Sequence, residues 1–401
     1  MSQRPRVLLV GADRALLDRT LALGLDVVSL QTSARFNSTH STNSVASVVL
    51  DYESEEFEPT LLRSLAEHFG IRCAVSLTEL GLLPTARINE ALGLPGVSPE
   101  VVIRSRDKVA MRTSLQDTLP MPAAVIEDAE ALKRFGARHG WPVVVKPRDG
   151  AGSTGICRID GPEQIAHAKF TLEGAIVEKY LDGRLFSAES FSRAGVHTIY
   201  GVNEEFPLHG EGPPGSNDYL ECGHQMPASV TPAQYDQIAT VVELTLSALG
   251  ITEGPSHTEV ILTEDGPFLL ETHTRVGGDF IPEMLQRCTG IDLLSLAVGQ
   301  PAGVLELPAP PTWSKGAAIR YFTPPPGRVK RVAGVEAWRD HPGIAIIQLD
   351  LRPGDIVPPI KSAKDRVGFV MAVCETSDQA LALCKQAVAG IEIEVVPEAA
   401  G

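Results

Sequence analysis

Short apolar runs alternate with helically spaced segments from the start of the chain. RVLLV at 6–10 ends at Gly11, a helical pattern follows, and LDVVSL fills 25–30. This cadence predicts a βαβ start in a parallel sheet, whose strands are buried on both faces and so read as continuous apolar runs. SVVL at 47–50 and CAVSL at 73–77 alternate with a helical segment around Leu61–His68 and carry the pattern to about residue 97. After the turn-rich LGLPGVSPE at 92–100, one helix is expected to carry SRDKVAMR, and WPVVVKP at 141–147 opens a second α/β region. Thr231, Pro232 and Gln234 supply an N-cap, a first-turn proline and a capping-box partner, with Gly250 as the stop. Between them Ile238, Val241, Val242, Thr245 and Leu249 keep helical spacing, which predicts one face packed on a sheet. LPAPPT at 307–312 reads as a linker, followed by strands near 317–322, 345–350 and 367–374 and a helix over 377–389. Three units are expected: 1–97, 98–306 and 307–401.

Two stretches carry the chemistry. In VVVKPRDGAGSTGI, 143–156, a buried strand delivers Lys146 to a loop with Gly150, Gly152, Ser153, Thr154 and Gly155. Glycines leave backbone N–H groups unobstructed, so such a loop can cradle polyphosphate while the lysine offsets charge; a plain flexible turn is the alternative. The lysine precedes the glycines, so this is not a Walker A loop.

The second stretch is SHTEVILTEDGPFLLETHTRVGGD, 256–279. Two strand-like runs flank Glu264-Asp265-Gly266, and a three-residue hairpin loop with glycine in the left-handed position is a common connection. That register pairs Thr263 with Pro267 and sets Glu259 opposite Glu271, and His257 opposite His273, on one face. Val260, Leu262, Phe268 and Leu270 would point to the other. Opposed like charges destabilise a plain hairpin, so an intervening cation is the favoured explanation, with a solvated acidic face as the alternative. Hard oxygen ligands suit Mg²⁺, and Arg275, of the same parity, could meet phosphoryl charge. The imidazole pair could suggest zinc, but thiolates and open-site spacing are missing.

Composition narrows the partners. Fifty Asp and Glu against 35 Lys and Arg give a formal charge of −15. This argues against nucleic acid or an anionic membrane surface as the main partner, because phosphate binding needs clustered Lys and Arg. The six cysteines form no C-x-x-C pair, so a zinc ribbon or redox motif is not indicated and a reducing cytoplasm is the expected location. The N-terminal apolar run is too short for a signal peptide and no run reaches a membrane span, so a complete, soluble chain is expected. Gly11 alone is not a G-x-G-x-x-G fingerprint, which argues against nicotinamide binding there.

Taken in order, RDK with Lys108, VVVKP with Lys146, the glycine loop, IVEKYLDG at 176–183, the paired glutamates and ETHTRVGGD resemble the ATP-grasp superfamily. ECGHQMPA at 221–228 and the final AAIRYFTPPPGRV, LDLRPGDIV and DRVGFVMA are similar to the L-amino-acid ligases, its dipeptide-forming branch. The resemblance implies an α/β fold of the ATP-grasp type, with an N-terminal parallel α/β (pre-ATP-grasp) domain and a C-terminal α+β domain. It implies an ADP-forming carboxylate-amine ligase that uses ATP and Mg²⁺, with Mn²⁺ able to substitute, on a small carboxylate and an amine. A homodimer is left open.

By the same resemblance, Lys108 and Lys146 contact ATP phosphates under the 150–155 loop, and Glu178, Lys179, Tyr180 and Leu181 form the hinge that receives adenine. Glu259, Glu271 and His273 hold the metal, and Arg275 stabilises the acyl phosphate. His224 lies near the reacting carboxylate or phosphate, with a purely structural histidine as the alternative. Glu221, Gly277, Gly278 and Asp279 border the substrate. The chain departs from the family pattern in three places: His273 replaces an asparagine, Leu185 replaces a ribose-binding glutamate, and Asp279 occupies a pocket position that can be bulky. A buried Asp279 needs a cationic or hydrogen-bond-donating partner; capping the segment 280–287 is the competing role. A bicarbonate-activating enzyme like biotin carboxylase and a non-catalytic nucleotide-binding protein remain the other readings.

Overall fold

The computed structural model describes residues 4–150, 152, 154–167, 172–209, 212–213 and 216–397. Ser153 of the glycine loop lies outside them. No described helix is long and apolar enough to cross a membrane.

The first apolar runs form a parallel four-stranded sheet in the order Ala46–Val49, Asp26–Gln31, Arg6–Val10, Ile71–Val75. Alternation along the first strand serves two cores. Val7 and Leu9 pack with Leu16 and Leu17, whereas Leu8 and Val10 pack with Leu62 and Ile88. The first core also takes Val298 and Ala302 from the middle of the chain, and Arg19 bonds Asp292 at 2.9 Å, so this unit is clamped onto the rest.

An antiparallel sheet of Ala123–Ile126, Ala175–Lys179, Val143–Lys146 and Cys157–Ile159 follows, covered by helix Ala129–His139 through Leu132 and Phe135. The largest sheet has eight strands, in the order Gly266–His273, Gly254–Thr263, Arg184–Arg193, Val196–Pro207, Glu221–Met226, Gly316–Tyr321, Gly368–Cys374 and Ile344–Leu349. Its last three strands come from beyond the proline linker, so the C-terminal segment extends the central sheet. A three-stranded sheet of Ile356–Val357, Gly327–Ala333 and Glu392–Val396 stands beside it. Helix Pro232–Leu249 has its capping box of Thr231 and Gln234, and buries Ile238, Val242, Leu246 and Leu249 against Phe186, Val260 and Leu269.

Two local expectations are corrected. SRDKVAMR does not form one helix: Pro99–Arg106 stops, and Lys108–Leu115 starts anew. Asp107 causes the break, because its carboxylate accepts the N–H groups of Val109 (2.9 Å) and Ala110 (3.1 Å) as an N-cap. The hairpin loop has two residues, not three, since Thr263 pairs with Gly266, Leu262 with Pro267 and Val260 with Leu269. Leu270 is then passed over as a bulge, and Glu259 pairs with Glu271 and His257 with His273 as expected. The bulge absorbs the one-residue difference, so the glutamates share a face although the loop is shorter. Leu269, rather than Phe268 or Leu270, joins Val260 and Leu262 in the core.

Candidate functional site

A cleft between the two antiparallel sheets gathers Lys146, Glu178, Lys179, Tyr180, Leu181, Leu185, Tyr219 and Leu270. Neighbouring strands place Glu178 beside Lys146, whose Nζ lies 2.7 Å from Oε2 of the glutamate. Arg112 Nε binds the other oxygen at 2.5 Å, and its NH2 reaches the Leu270 carbonyl at 2.9 Å. Burial alone would raise the Glu178 carboxyl, but Lys146 and Arg112 hold it at about 2. Arg112 was not anticipated. Its partner is 66 positions away, and one arginine on a helix face carries no local signal.

Gly150, Gly152 and Gly155 all adopt positive φ, at 130°, 69° and 76°. These conformations need glycine, and they bend the chain back so that the Gly150 carbonyl meets Lys108 Nζ at 3.2 Å. The helix break at Asp107 makes Lys108 the first residue of its helix, from which Nζ also lies 3.1 Å from Glu271. Lys108, Lys146, Gly150, Thr154, Glu259 and Glu271 thus border one small space.

At the paired end of the hairpin, ligand atoms of Glu259, Glu271 and His273 lie within 4.8 Å of one another. His273 Nε2 is 3.1 Å from Glu271, and Nδ1 faces Glu79 at 3.4 Å. The two carboxylates at this spacing supply the hard oxygen ligands that a divalent cation such as Mg²⁺ takes, with the His273 imidazole beside them. Glu79 was missed by the sequence reading; it stands in a short turn after the first sheet and binds Arg275 Nε at 2.9 Å and Arg106 at 3.0 Å. Burial would raise the Glu79 carboxyl, but the nearby His273 imidazole and the charge of Arg275 lower it to about 2.

Beyond Arg275 opens a cleft of about 910 Å³ shared by the N-terminal unit, the 275–282 segment and the C-terminal segment. Gly277, Gly278 and Asp279 line it. Asp279 and Phe280 are consecutive non-glycine residues with positive φ, 52° and 62°, a strained pair that the contacts around it must hold. Asp279 Oδ2 accepts from Arg366 NH1 at 2.6 Å and lies 3.1 Å from His224 Nε2, while the rings of Phe280 and Phe369 meet at 4.5 Å. Helix Ile281–Thr289 has Phe280 at its N-cap position and no side-chain cap bond, which removes the capping role for Asp279.

Arg366 is the third residue that sequence reasoning missed. It stacks over Tyr321 at 3.9 Å and donates to the Glu221 carbonyl at 2.6 Å, joining Glu221 and Asp279. His224 sits in strand Glu221–Met226, and burial lowers its pKa against the opposing pull of Asp279. Burial and the charge of Glu259 push the Glu221 carboxyl up to about 7.

Family models match three parts of the chain: an ATP-grasp N-terminal domain over 18–96, an ATP-grasp domain over 139–283 and the L-amino acid ligase C-terminal domain 2 over 320–396. The uncharacterized protein y4rH of Sinorhizobium fredii is 28% identical, aligned over 83% of this chain and 70% of its own. The L-arginine-specific L-amino acid ligase of Bacillus subtilis is 25% identical, with 78% of each chain covered. The crystal structure of the L-amino acid ligase from Bacillus licheniformis shares the fold, with TM-score 0.81, 22% identity and coverage of 99% of this chain and 100% of that one.

Proposed function

This chain belongs to the ATP-grasp ligases and carries the C-terminal domain of the L-amino acid ligases, and from that premise we propose how its residues divide the work. The reaction joins a carboxylate to an amine, with ADP and phosphate released. The γ-phosphoryl group of ATP passes to a carboxylate oxygen to give an acyl phosphate; the amine attacks the acyl carbon, loses a proton and displaces phosphate. We assign the substrates to amino acids, or to a small carboxylic acid plus an amino acid, acting in the cytoplasm. The C-terminal domain match favours this over bicarbonate activation.

The observation that carries the assignment is the meeting of Glu259, Glu271 and His273 within 4.8 Å, beside Lys108 and Lys146 on one side and Arg275 on the other. Mg²⁺ or Mn²⁺ held by the two glutamates and His273 would balance phosphate charge when bound. Lys108 and Lys146 hold phosphate oxygens, and the glycine loop keeps water from the mixed anhydride. Glu178 orients Lys146, while Lys179, Tyr180 and Leu181 receive adenine. Glu79 fixes the plane of the Arg275 guanidinium, which faces the developing acyl phosphate. Gly277, Gly278, Asp279, His224 and Glu221 border the carboxylate substrate, with Arg366 behind them.

The test is a phosphate-release screen of amino-acid pairs with ATP and Mg²⁺, followed by mass measurement of the product. ADP and phosphate should appear in step with an amide; stoichiometric pyrophosphate would refute the mechanism.

A further inference from the structure

Behind the cation candidate lies a buried ion-pair partner set that the reaction itself does not use. Glu189 of strand Arg184–Arg193 is fully buried and sits opposite His257 on the neighbouring strand. Its Oε1 accepts the His257 Nδ1–H at 2.5 Å, and its Oε2 accepts the Gly277 backbone N–H at 2.9 Å. On the far side of the ring, His257 Nε2 faces Glu259 Oε1 at 3.5 Å. One carboxylate therefore reaches Glu259 through an imidazole, and the segment between Arg275 and Asp279 through a single amide.

Gly277 is built around this pair. A Cβ there would stand 2.5 Å from Glu189 Oε1 and 2.8 Å from His257 Nδ1, so a side chain would force the two apart. An apolar pair would fill the same interior space without the cost of taking polar groups out of water. What the polar pair adds is direction, because its hydrogen bonds fix the ring plane of His257 and the height of the 277 backbone. Two structures that must act together, the carboxylate face of the hairpin and the segment carrying Arg275, are thereby referred to one buried group.

We propose that Glu189 and His257 are a positioning pair that sets the Glu259 carboxylate for a divalent cation and, through the Gly277 N–H, holds the Arg275 to Asp279 segment at a fixed distance from it. The inference rests on the metal role of Glu259 proposed above. Outer partners of this kind typically change metal affinity by about 10- to 100-fold when removed.

The experiment measures Mn²⁺ binding to the ADP complex by electron paramagnetic resonance, alongside melting temperature, for wild type, Glu189→Gln, His257→Gln and the double variant. The expected result is Mn²⁺ affinity weakened about 10- to 100-fold in each single variant, with the double variant no worse than the weaker single one because the two residues act as a unit. Folded single variants that bind Mn²⁺ as wild type does would overturn the proposal and leave a purely structural pair. If neither single variant folds, the wild-type structure with Mg²⁺ and ADP decides: Glu259 still beside His257 supports the proposal, and Glu259 turned away overturns it. Wild-type protein that binds no Mn²⁺ with ADP overturns the ligase reading together with this inference, whereas normal wild-type binding with unaltered variants overturns the inference alone.

Discussion

Glu178, buried, and Glu271, half-buried, are both carboxylates beside lysines, yet different tests expose them. Glu178 is enclosed by Lys146 and Arg112, which hold its folded-state carboxyl at about 2 against an ordinary value of 4.5. A depressed carboxyl contributes stability that is fully present above its unfolded value and is lost as pH falls from about 4.5 to about 2. Glu178→Gln should therefore lower stability near neutral pH by roughly 3 kcal/mol and flatten the acid limb across that window, as read by urea denaturation at stepped pH. Glu271 instead lines the small space shared by Lys108, Lys146 and Gly150, where we propose that the cation is held. Glu271→Gln should cut turnover on the order of 100-fold and lower turnover more than stability, because the cation that would balance phosphoryl charge loses a carboxylate ligand. Wild-type activity of that variant at low Mg²⁺ would remove the metal assignment.

The hairpin shows how an element can reach the same pairing by two routes. A three-residue loop without a bulge and a two-residue loop with Leu270 bulged both set Glu259 opposite Glu271. They differ in the side chain given to the core. Leu269 is 4% exposed and packs with Val260 and Leu262, while Leu270 borders the cleft between the two antiparallel sheets that we propose receives adenine. Leu269→Ala should then cost about 2–5 kcal/mol by leaving a cavity. Leu270→Ala should cost less stability and chiefly raise the KM for ATP. Equal stability losses with unchanged ATP kinetics would favour the unbulged register.

The 910 Å³ cleft belongs to no single part of the chain. Glu79 comes from the N-terminal unit, Arg275 and Asp279 from the middle, and Arg366 from the C-terminal segment that extends the central sheet. Removing the Arg366 guanidinium should disturb the substrate wall without reaching the nucleotide. Arg366→Ala is expected to raise the KM for the carboxylate substrate about tenfold or more, as loss of charge-assisted hydrogen bonds does, with ATP affinity nearly unchanged. Parallel kinetics and nucleotide titration check it; an equal loss of ATP affinity would mean that the contact supports the whole cleft. Asp279→Ala should behave in the same direction.

Features whose cause is local were legible in the sequence. The capping box and glycine stop of Pro232–Leu249, the buried parallel strands and the glycine loop after Lys146 each follow from residues a few positions apart, where backbone hydrogen bonding and side-chain period decide the outcome. The opposition of Glu259 and Glu271 was legible too, since hairpin pairing is nearly local, although the bulge that completes it depends on which leucine the core accepts. Arg112, Glu79 and Arg366 were not legible. Their partners lie 66, 196 and 87 positions away, and only the docking of separate sheets brings the charges together. An isolated charged side chain looks like solvated surface in a sequence. Burial makes its partner matter, because in the interior an unpaired charge is expensive and a paired one is fixed in direction, and burial is decided by tertiary structure.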